Sequence, residues 1–390
     1  MKKVILKKNE ERRLLAGHLW VFSNEIHSVD TNISNSDIVA VYSYNSKFLG
    51  YGFYNGNSLI SVRLFTRKNN QDFTQILTEN IHNAYCLRKI LFPNRKSYRL
   101  VFSESDYLPG LIIDKYNYTF VLQINSLGME KNISPIIEYL VNELKAKNIF
   151  TKHDNYFRQL EGLSNENVIF YGNDHLTEVI TDGSVYYKID FLKSQKTGFF
   201  FDQVDNRIYT SKFCSGVEVL DVFSNNGGFG LNALKAGARY VTFVDYSANE
   251  IENIKENLVL NNFHKNYDLI NDDAFEFLEK MIAQGKKYDV VIVDPPAFTK
   301  NKKNLKNAIS GYEKLNNLAI KCVKNNGLLV SASCSHHLSK DEFLRIINKA
   351  AFKNNKLIKQ IYYNTAGPDH PINPAMEETQ YLKFGIFNII

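Results

Sequence analysis

Residues 217–247, VEVLDVFSNNGGFGLNALKAGARYVTFVDYS, decide the fold. Val217, Val219, Leu220 and Val222 form a short apolar run that fits a buried parallel strand, and a turn holding Gly227, Gly228 and Gly230 stops it. A helix follows, packed through Leu231, Leu234 and the small Ala233, Ala236 and Ala238, and Gly237 ends it. Residues 240–244 then read as a second, β-branched strand closing on Asp245. The pattern is a βαβ unit whose polar residues gather at the strand tips.

Glycines in the first turn let a ligand approach the backbone, and a carboxylate ending the next strand can accept both hydroxyls of a ribose. The spacing of Asp221, Phe223, Gly227 and Gly228 departs from G-x-G-x-x-G, the pattern expected where backbone presses against a pyrophosphate. S-adenosylmethionine carries no pyrophosphate and fits this turn better than NAD. A parallel sheet with an incidental acid would show the same residues, so the rest of the chain must decide.

A chain of 390 residues has room for two or three domains with sizeable cores. No run approaches the ~20 apolar residues needed to cross a bilayer, and MKKVILKKNEERR lacks a signal-peptide core, so a cytoplasmic protein is expected. Cys86, Cys214, Cys322 and Cys334 are far apart and form no C-x-x-C, which points to no disulfide framework and no metal site. The net charge of +6 is uneven: residues 1–110 hold 15 Lys and Arg against 9 Asp and Glu, while the remainder balances. A basic flank suits a polyanion such as RNA, although Lys is abundant throughout.

Three domains are expected. Residues 1–70 alternate short β-rich runs with turns, reading as a small barrel, and Gly17 to Phe22 with Asn24-Glu25-Ile26 resembles the opening of PUA domains, which bind RNA. Residues 71–188 read as a central α+β domain, with helical periodicity at 74–91 and 133–144 and a hairpin turned at Asp182-Gly183. Glu104 and Asp106 there read as solvated loop acids. Residues 189–390 alternate α and β, as a Rossmann-like, mostly parallel sheet of an α/β protein.

The stretch 195–207, QKTGFFFDQVDNR, either roofs the pocket, with Arg207 holding a cofactor carboxylate, or is a linker helix clamped by its phenylalanines. Ser247 and Glu250 have capping-box spacing. One acid of Asn271-Asp272-Asp273-Ala274 can accept an adenine amino group at a strand end, and Asp273 is preferred. The apolar run 290–293 meets Asp294-Pro295-Pro296-Ala297-Phe298, where the prolines end the strand abruptly and set Asp294 on a rigid rim. Lys300, Lys302, Lys303 and Lys306 either contact phosphates or form a solvated loop. Cys334 ends the next buried strand and is either a small buried hydrophobe or, where consecutive strand tips of an open sheet meet at one crevice, a neighbour of Asp294. The tail, with Asp369-His370-Pro371 before YLKFGIF, reads as a closing hairpin without a catalytic part.

With DVFSNNGGF, VDYS, NDDAF, DPPAF and SCS in this order, the chain resembles the class I methyltransferases, specifically the bacterial large-subunit ribosomal RNA cytosine-5 methyltransferases. The likeness runs from the PUA-like head through Ser103-Glu104-Ser105-Asp106, LPGLIID and KTG-FFFDQ-NR to the DHP and YLK tail. It implies methyl transfer from S-adenosylmethionine to C5 of a cytosine in 23S ribosomal RNA or a large-subunit precursor. Cys334 would attack C6, and Asp294 would hold the N3 and amino edge. Candidate cofactor contacts are Arg207; Asp221, Phe223, Ser224, Asn226, Gly227 and Gly228; Asp245, Tyr246 and Ser247; Asp272, Asp273 and Ala274; and Asp294 with Pro295. Pro296, Phe298, Lys300, Lys302 and Lys303 are substrate candidates. No metal or membrane is implied, and a homodimer stays open. Ala297 stands where many RNA cytosine-5 methyltransferases carry a second cysteine, which leaves the C5 proton acceptor unassigned. The alternatives are methylation of a base nitrogen around Asp294-Pro295-Pro296, and an RNA-binding assembly factor without catalysis.

Overall fold

The computed structural model describes residues 1–173, 176–299 and 302–390. They form two compact units, neither contiguous in sequence: Met1–Glu178 with Ile189–Phe199 and Pro368–Thr379, and Val179–Lys188 with Phe200–Gly367 and Gln380–Ile390.

In the first unit a six-stranded sheet is built largely of antiparallel neighbours, with Phe48–Tyr54 between Ile38–Tyr42 and Ile60–Thr66. A five-stranded sheet follows, centred on Thr119–Ile124. Tyr51, Phe53 and Phe65 of the first sheet share one core with Ile76, Leu100, Ile113 and Leu122. Buried ion pairs tie this unit together. Arg88 grips Asp106 through both guanidinium nitrogens at 2.6 and 2.8 Å, and Arg99 grips Asp114 at 2.9 and 2.8 Å. Glu104 accepts from Trp20 Nε1 at 2.8 Å and from Arg63 at 3.2 Å. The expectation of solvated loop acids at Glu104 and Asp106 therefore fails, because arginines distant in sequence neutralise them in the core.

The second unit carries a seven-stranded sheet. Its strands are β1 (Glu218–Val222), β2 (Tyr240–Asp245), β3 (Tyr267–Asn271), β4 (Tyr288–Val293), β5 (Val323–Ser333), β6 (Ile358–Asn364) and β7 (Lys383–Ile389). The spatial order is β3-β2-β1-β4-β5-β7-β6. All neighbours from β3 to β5 are parallel, and β7 runs antiparallel to both β5 and β6. Helix α1 (Val204–Ser211) precedes β1, and α2 (Gly228–Lys235), α3 (Ala248–Leu260), α4 (Ala274–Ala283), α5 (Leu305–Lys321) and α6 (Lys340–Lys353) supply the crossovers. Central strands buried on both faces explain the apolar Val219, Leu220 and Val222 around Asp221 and the unbroken apolar run at 290–293. The closing hairpin exists as β6 and β7, but residues 368–379 between them belong to the first unit. There Asp369 accepts from the Arg99 backbone N–H at 2.9 Å and from His370 Nδ1 at 2.8 Å. Among the described residues no helix is long and apolar enough to cross a membrane.

Candidate functional site

Strand order reverses at β1 and β4, and a parallel sheet opens its crevice beyond the carboxyl ends of strands at such a point. The turn after β1 is tightly wound: Phe223, Asn225 and Gly227 have φ of 62°, 50° and 84°. Asparagine and glycine tolerate that region, whereas a phenylalanine there stores strain of roughly 1–3 kcal/mol, a common mark of functional turns. Ser224 holds the turn shut, its hydroxyl donating to Asp221 O at 2.7 Å and accepting from Val244 N at 2.9 Å. The Ser224 side chain is thus occupied in joining β1 to β2. At Gly228 a Cβ would lie 2.4 Å from Arg207 Nε, so this glycine admits a guanidinium of α1. That packing is a second reason for the glycine, beside ligand access.

Arg207 is buried, and two acids, Asp221 and Asp294, feel its charge. Asp221 at the end of β1 is 1% exposed, and Gly230 N donates to its Oδ2 at 2.9 Å. Burial pushes its carboxyl up to about 7, with further upward pressure from Asp294 and Asp245, against the pull of the Gly230 N–H and Arg207. Asp294, beyond the end of β4, is likewise pushed up to about 7 by burial; Arg207 opposes this and Asp202 adds to it. Gln203 Nε2 donates to Asp294 Oδ1 at 3.0 Å. Asn206 Nδ2 in turn donates to Gln203 Oε1 at 2.7 Å, which fixes which end of the Gln203 amide faces the acid. Gln203 and Asn206 were missed as site residues. Their signal was helical spacing: Gln203 stands four residues before Arg207, on the same face.

At the tip of β2, Asp245 Oδ2 accepts from Asn225 N and Oδ1 from Ser247 N, each at 2.9 Å. Each oxygen keeps a further lone pair for a hydroxyl donor. Tyr246 is 80% exposed beside it. Ser247 caps α3 by accepting from Glu250 N at 3.3 Å. After β3, Asp273 caps α4, its Oδ1 accepting from Phe275 N and Glu276 N, with Ala274 buried behind it. Asp272 is drawn away to Lys280 at 2.7 Å.

The tips of β4 and β5 converge. Pro295 is buried, and its carbonyl faces Cys334 Sγ at 3.9 Å, bringing the acid motif and the thiol together. Pro296 is exposed. Phe298 is half-buried and packs on Tyr312 with ring centroids 4.4 Å apart, against the core. Lys303 is exposed, Lys302 begins a short 3₁₀ turn, and Lys300 lies outside the described residues. On β7, directly across from Ser333, Lys383 is 4% exposed and turns its ammonium to Ser335 O at 2.6 Å and Tyr381 O at 2.7 Å. Sequence reasoning set the tail aside, yet a lone lysine within YLKFGIF was a readable signal.

Two buried polar atoms suit a polar ligand at the first turn: Asp221 Oδ1 and Asn226 Oδ1 have no hydrogen-bond partner among the described residues. With the open acceptor capacity of Asp245, the donor and acceptor set fits an amino and hydroxyl-bearing nucleoside.

A β3-β2-β1-β4-β5-β7-β6 sheet with acids at successive tips defines a class I, S-adenosylmethionine-dependent methyltransferase fold, here with an N-terminal PUA-like domain. Residues 4–67 match the family model described as PUA-like domain, and residues 190–355 match Conserved hypothetical protein 95. Ribosomal RNA large subunit methyltransferase I of Vibrio parahaemolyticus is 34% identical, with 97% of each chain covered. The protein of the same name from Shewanella frigidimarina is 33% identical, with 98% of each covered. The chain belongs to the ribosomal RNA large subunit methyltransferase I family. Among solved structures, a proposed S-adenosylmethionine-dependent methyltransferase from Streptococcus mutans superposes with a TM-score of 0.85 over 100% of both chains at 20% identity. The tRNA m1G37 methyltransferase of Methanocaldococcus jannaschii reaches 0.51 at 16% identity, over 88% of this chain and 87% of that one. Both likenesses concern fold alone.

Proposed function

We propose that this protein methylates C5 of a cytosine in large-subunit (23S) ribosomal RNA through a covalent bond from Cys334 to C6. The observation that carries the proposal is the approach of Cys334 Sγ to Pro295 O at 3.9 Å, which puts a thiol beside the Asp294 rim. Bound S-adenosylmethionine supplies an electrophilic methyl group. Asp221, Asn226 and Asp245 would hold its amino and hydroxyl groups, and Arg207 would balance the buried acids.

Cytosine C5 is a poor nucleophile until a thiolate adds to C6. The target base first leaves its stack, at a cost of a few kcal/mol. As sulfur adds, negative charge grows at N3. Asp294 suits that atom because a carboxyl pushed up to about 7 carries its proton near neutral pH, and Gln203 already donates to Oδ1, leaving the proton to Oδ2. Once C5 has gained the methyl group, its proton passes to solvent, the C6–S bond breaks and its electrons return to sulfur, leaving 5-methylcytosine.

RNA carrying 5-fluorocytosine at the target should trap the enzyme covalently, because fluorine cannot leave as a cation. Cys334→Ala should lose both trapping and turnover, whereas alanine at Cys86, Cys214 or Cys322 should preserve them. Full methylation by Cys334→Ala would instead support nitrogen methylation around Asp294, Pro295 and Pro296.

A further inference from the structure

The carbon-methylation reading needs a thiolate, and an unassisted cysteine of pKa ~8.5 is only a few per cent ionised at neutral pH. No helix N-terminus begins at Cys334; the chain continues into a turn before α6 starts at Lys340. A positive charge must come from elsewhere in the fold.

Lys383 is the buried cation on the neighbouring strand. It pairs across from Ser333, one residue before the cysteine, and binds the carbonyl of Ser335, one residue after it. An ammonium has three donors and no acceptor. Two are used on the carbonyls of Ser335 and Tyr381, and the third is left for an anion on the same side of the strand. A lysine 4% exposed with two neutral acceptors is costly to bury, since carbonyl dipoles alone replace its hydration. Phe384, Ile386 and Phe387 show what this strand otherwise holds. An apolar residue would fill the position at lower cost, so a positive charge retained there needs a use.

We propose that Lys383 is the positioning residue that holds Cys334 as a thiolate, its ammonium facing the sulfur from β7 while the thiol proton leaves to solvent. The inference rests on the covalent reading above. Burial lowers the Lys383 ammonium to about 8 and charge on Cys334 opposes that fall, so the two groups lie within electrostatic reach and the lysine stays protonated at pH 7. Among the described residues, titratable groups around the pair include Tyr312, hydrogen-bonded to Ser335 Oγ at 2.9 Å; Tyr381, which donates to Asp202 at 2.6 Å; and His336, whose ring lies 5.5 Å from that of Tyr381. Burial raises Tyr312, with Cys334 a further upward influence, so it remains a neutral phenol. Among the described residues, Lys383 is the cation that pairs across from Ser333 and binds the Ser335 carbonyl.

The test is the pH dependence of iodoacetamide alkylation at Cys334 in the full-length protein, followed by peptide mass. The wild-type midpoint should lie at least one unit below that of an unassisted thiol. Lys383→Met, which keeps length and bulk, should raise the midpoint by about one unit and slow alkylation at pH 7 about tenfold, and Lys383→Arg should restore most of the shift. A wild-type midpoint at ~8.5 or above overturns the proposal without any variant. So does an unchanged midpoint in a Lys383→Met protein whose unfolding transition stays cooperative. Trapping by 5-fluorocytosine separates the two layers. A low midpoint without trapping refutes the carbon reading and leaves the thiolate pair standing. Trapping with a midpoint insensitive to residue 383 does the reverse.

Discussion

Buried or half-buried carboxylates occur in both units, and they are treated in opposite ways. In the first unit Asp106 and Asp114 each receive an arginine of their own, held through two hydrogen bonds. In the second, Asp221 and Asp294 share the influence of Arg207, and both carboxyls rise to about 7. One-to-one pairing satisfies a charge and locks a scaffold. An undersupply of cation leaves acids near neutrality, able to give or take a proton at working pH.

The contrast predicts separable consequences. The largest should follow Arg88→Met, which strands Asp106 and removes donors to the Arg99 and Asp369 carbonyls. Leaving one partner of a buried pair unmatched costs ~3–5 kcal/mol, readable in urea unfolding. Arg207→Met should cost far less stability, because Asp221 and Asp294 can protonate, yet should abolish turnover. Equal destabilisation by the two changes would erase the distinction.

Next in size, Asp294→Asn should lower kcat by roughly 10²–10³-fold, the usual loss when a group aimed at developing charge is removed. Structure should persist, since an amide can still accept from Gln203. Wild-type turnover would remove Asp294 from the chemistry. Asp245→Asn should weaken S-adenosylmethionine binding at least tenfold in calorimetry while keeping the turn, because its carbonyl oxygen still accepts one backbone N–H. Unchanged affinity would leave Asp245 as a turn clamp only.

The smallest effect concerns pH. A carboxyl raised from the usual ~4 to about 7 binds more protons folded than unfolded within that window, so stability falls as pH climbs from 4 to 7 and levels off above. Asp294→Asn should flatten part of that slope in urea melts at pH 5 and 8.

The sheet of the second unit was legible because it is local: apolar runs, a glycine turn and an acid at each tip repeat along the sequence. The partners of those acids were harder to read. Gln203 and Arg207 come from a helix before β1, and Lys383 comes from β7, about 50 residues after Cys334, so only strand order brings them in. The same limit misread Glu104 and Asp106, whose counterions Arg63 and Arg88 lie outside any local window. The packing of Phe298 on Tyr312 of α5 was equally out of reach, because α5 follows the acid motif only after an intervening loop.

The segment 368–379 has a consequence for how the molecule is made. Translation delivers Arg88 first, while the Asp369 carbonyl it binds lies 281 residues later. At 5–20 residues per second, roughly 15 to 55 s pass before that acceptor is synthesised. During that interval the opening unit must persist with its guanidinium incompletely satisfied, and only the arrival of the tail completes it. Nascent chains stalled before residue 368 should accordingly present a protease-sensitive N-terminal unit, which becomes resistant once residue 379 has cleared the exit tunnel.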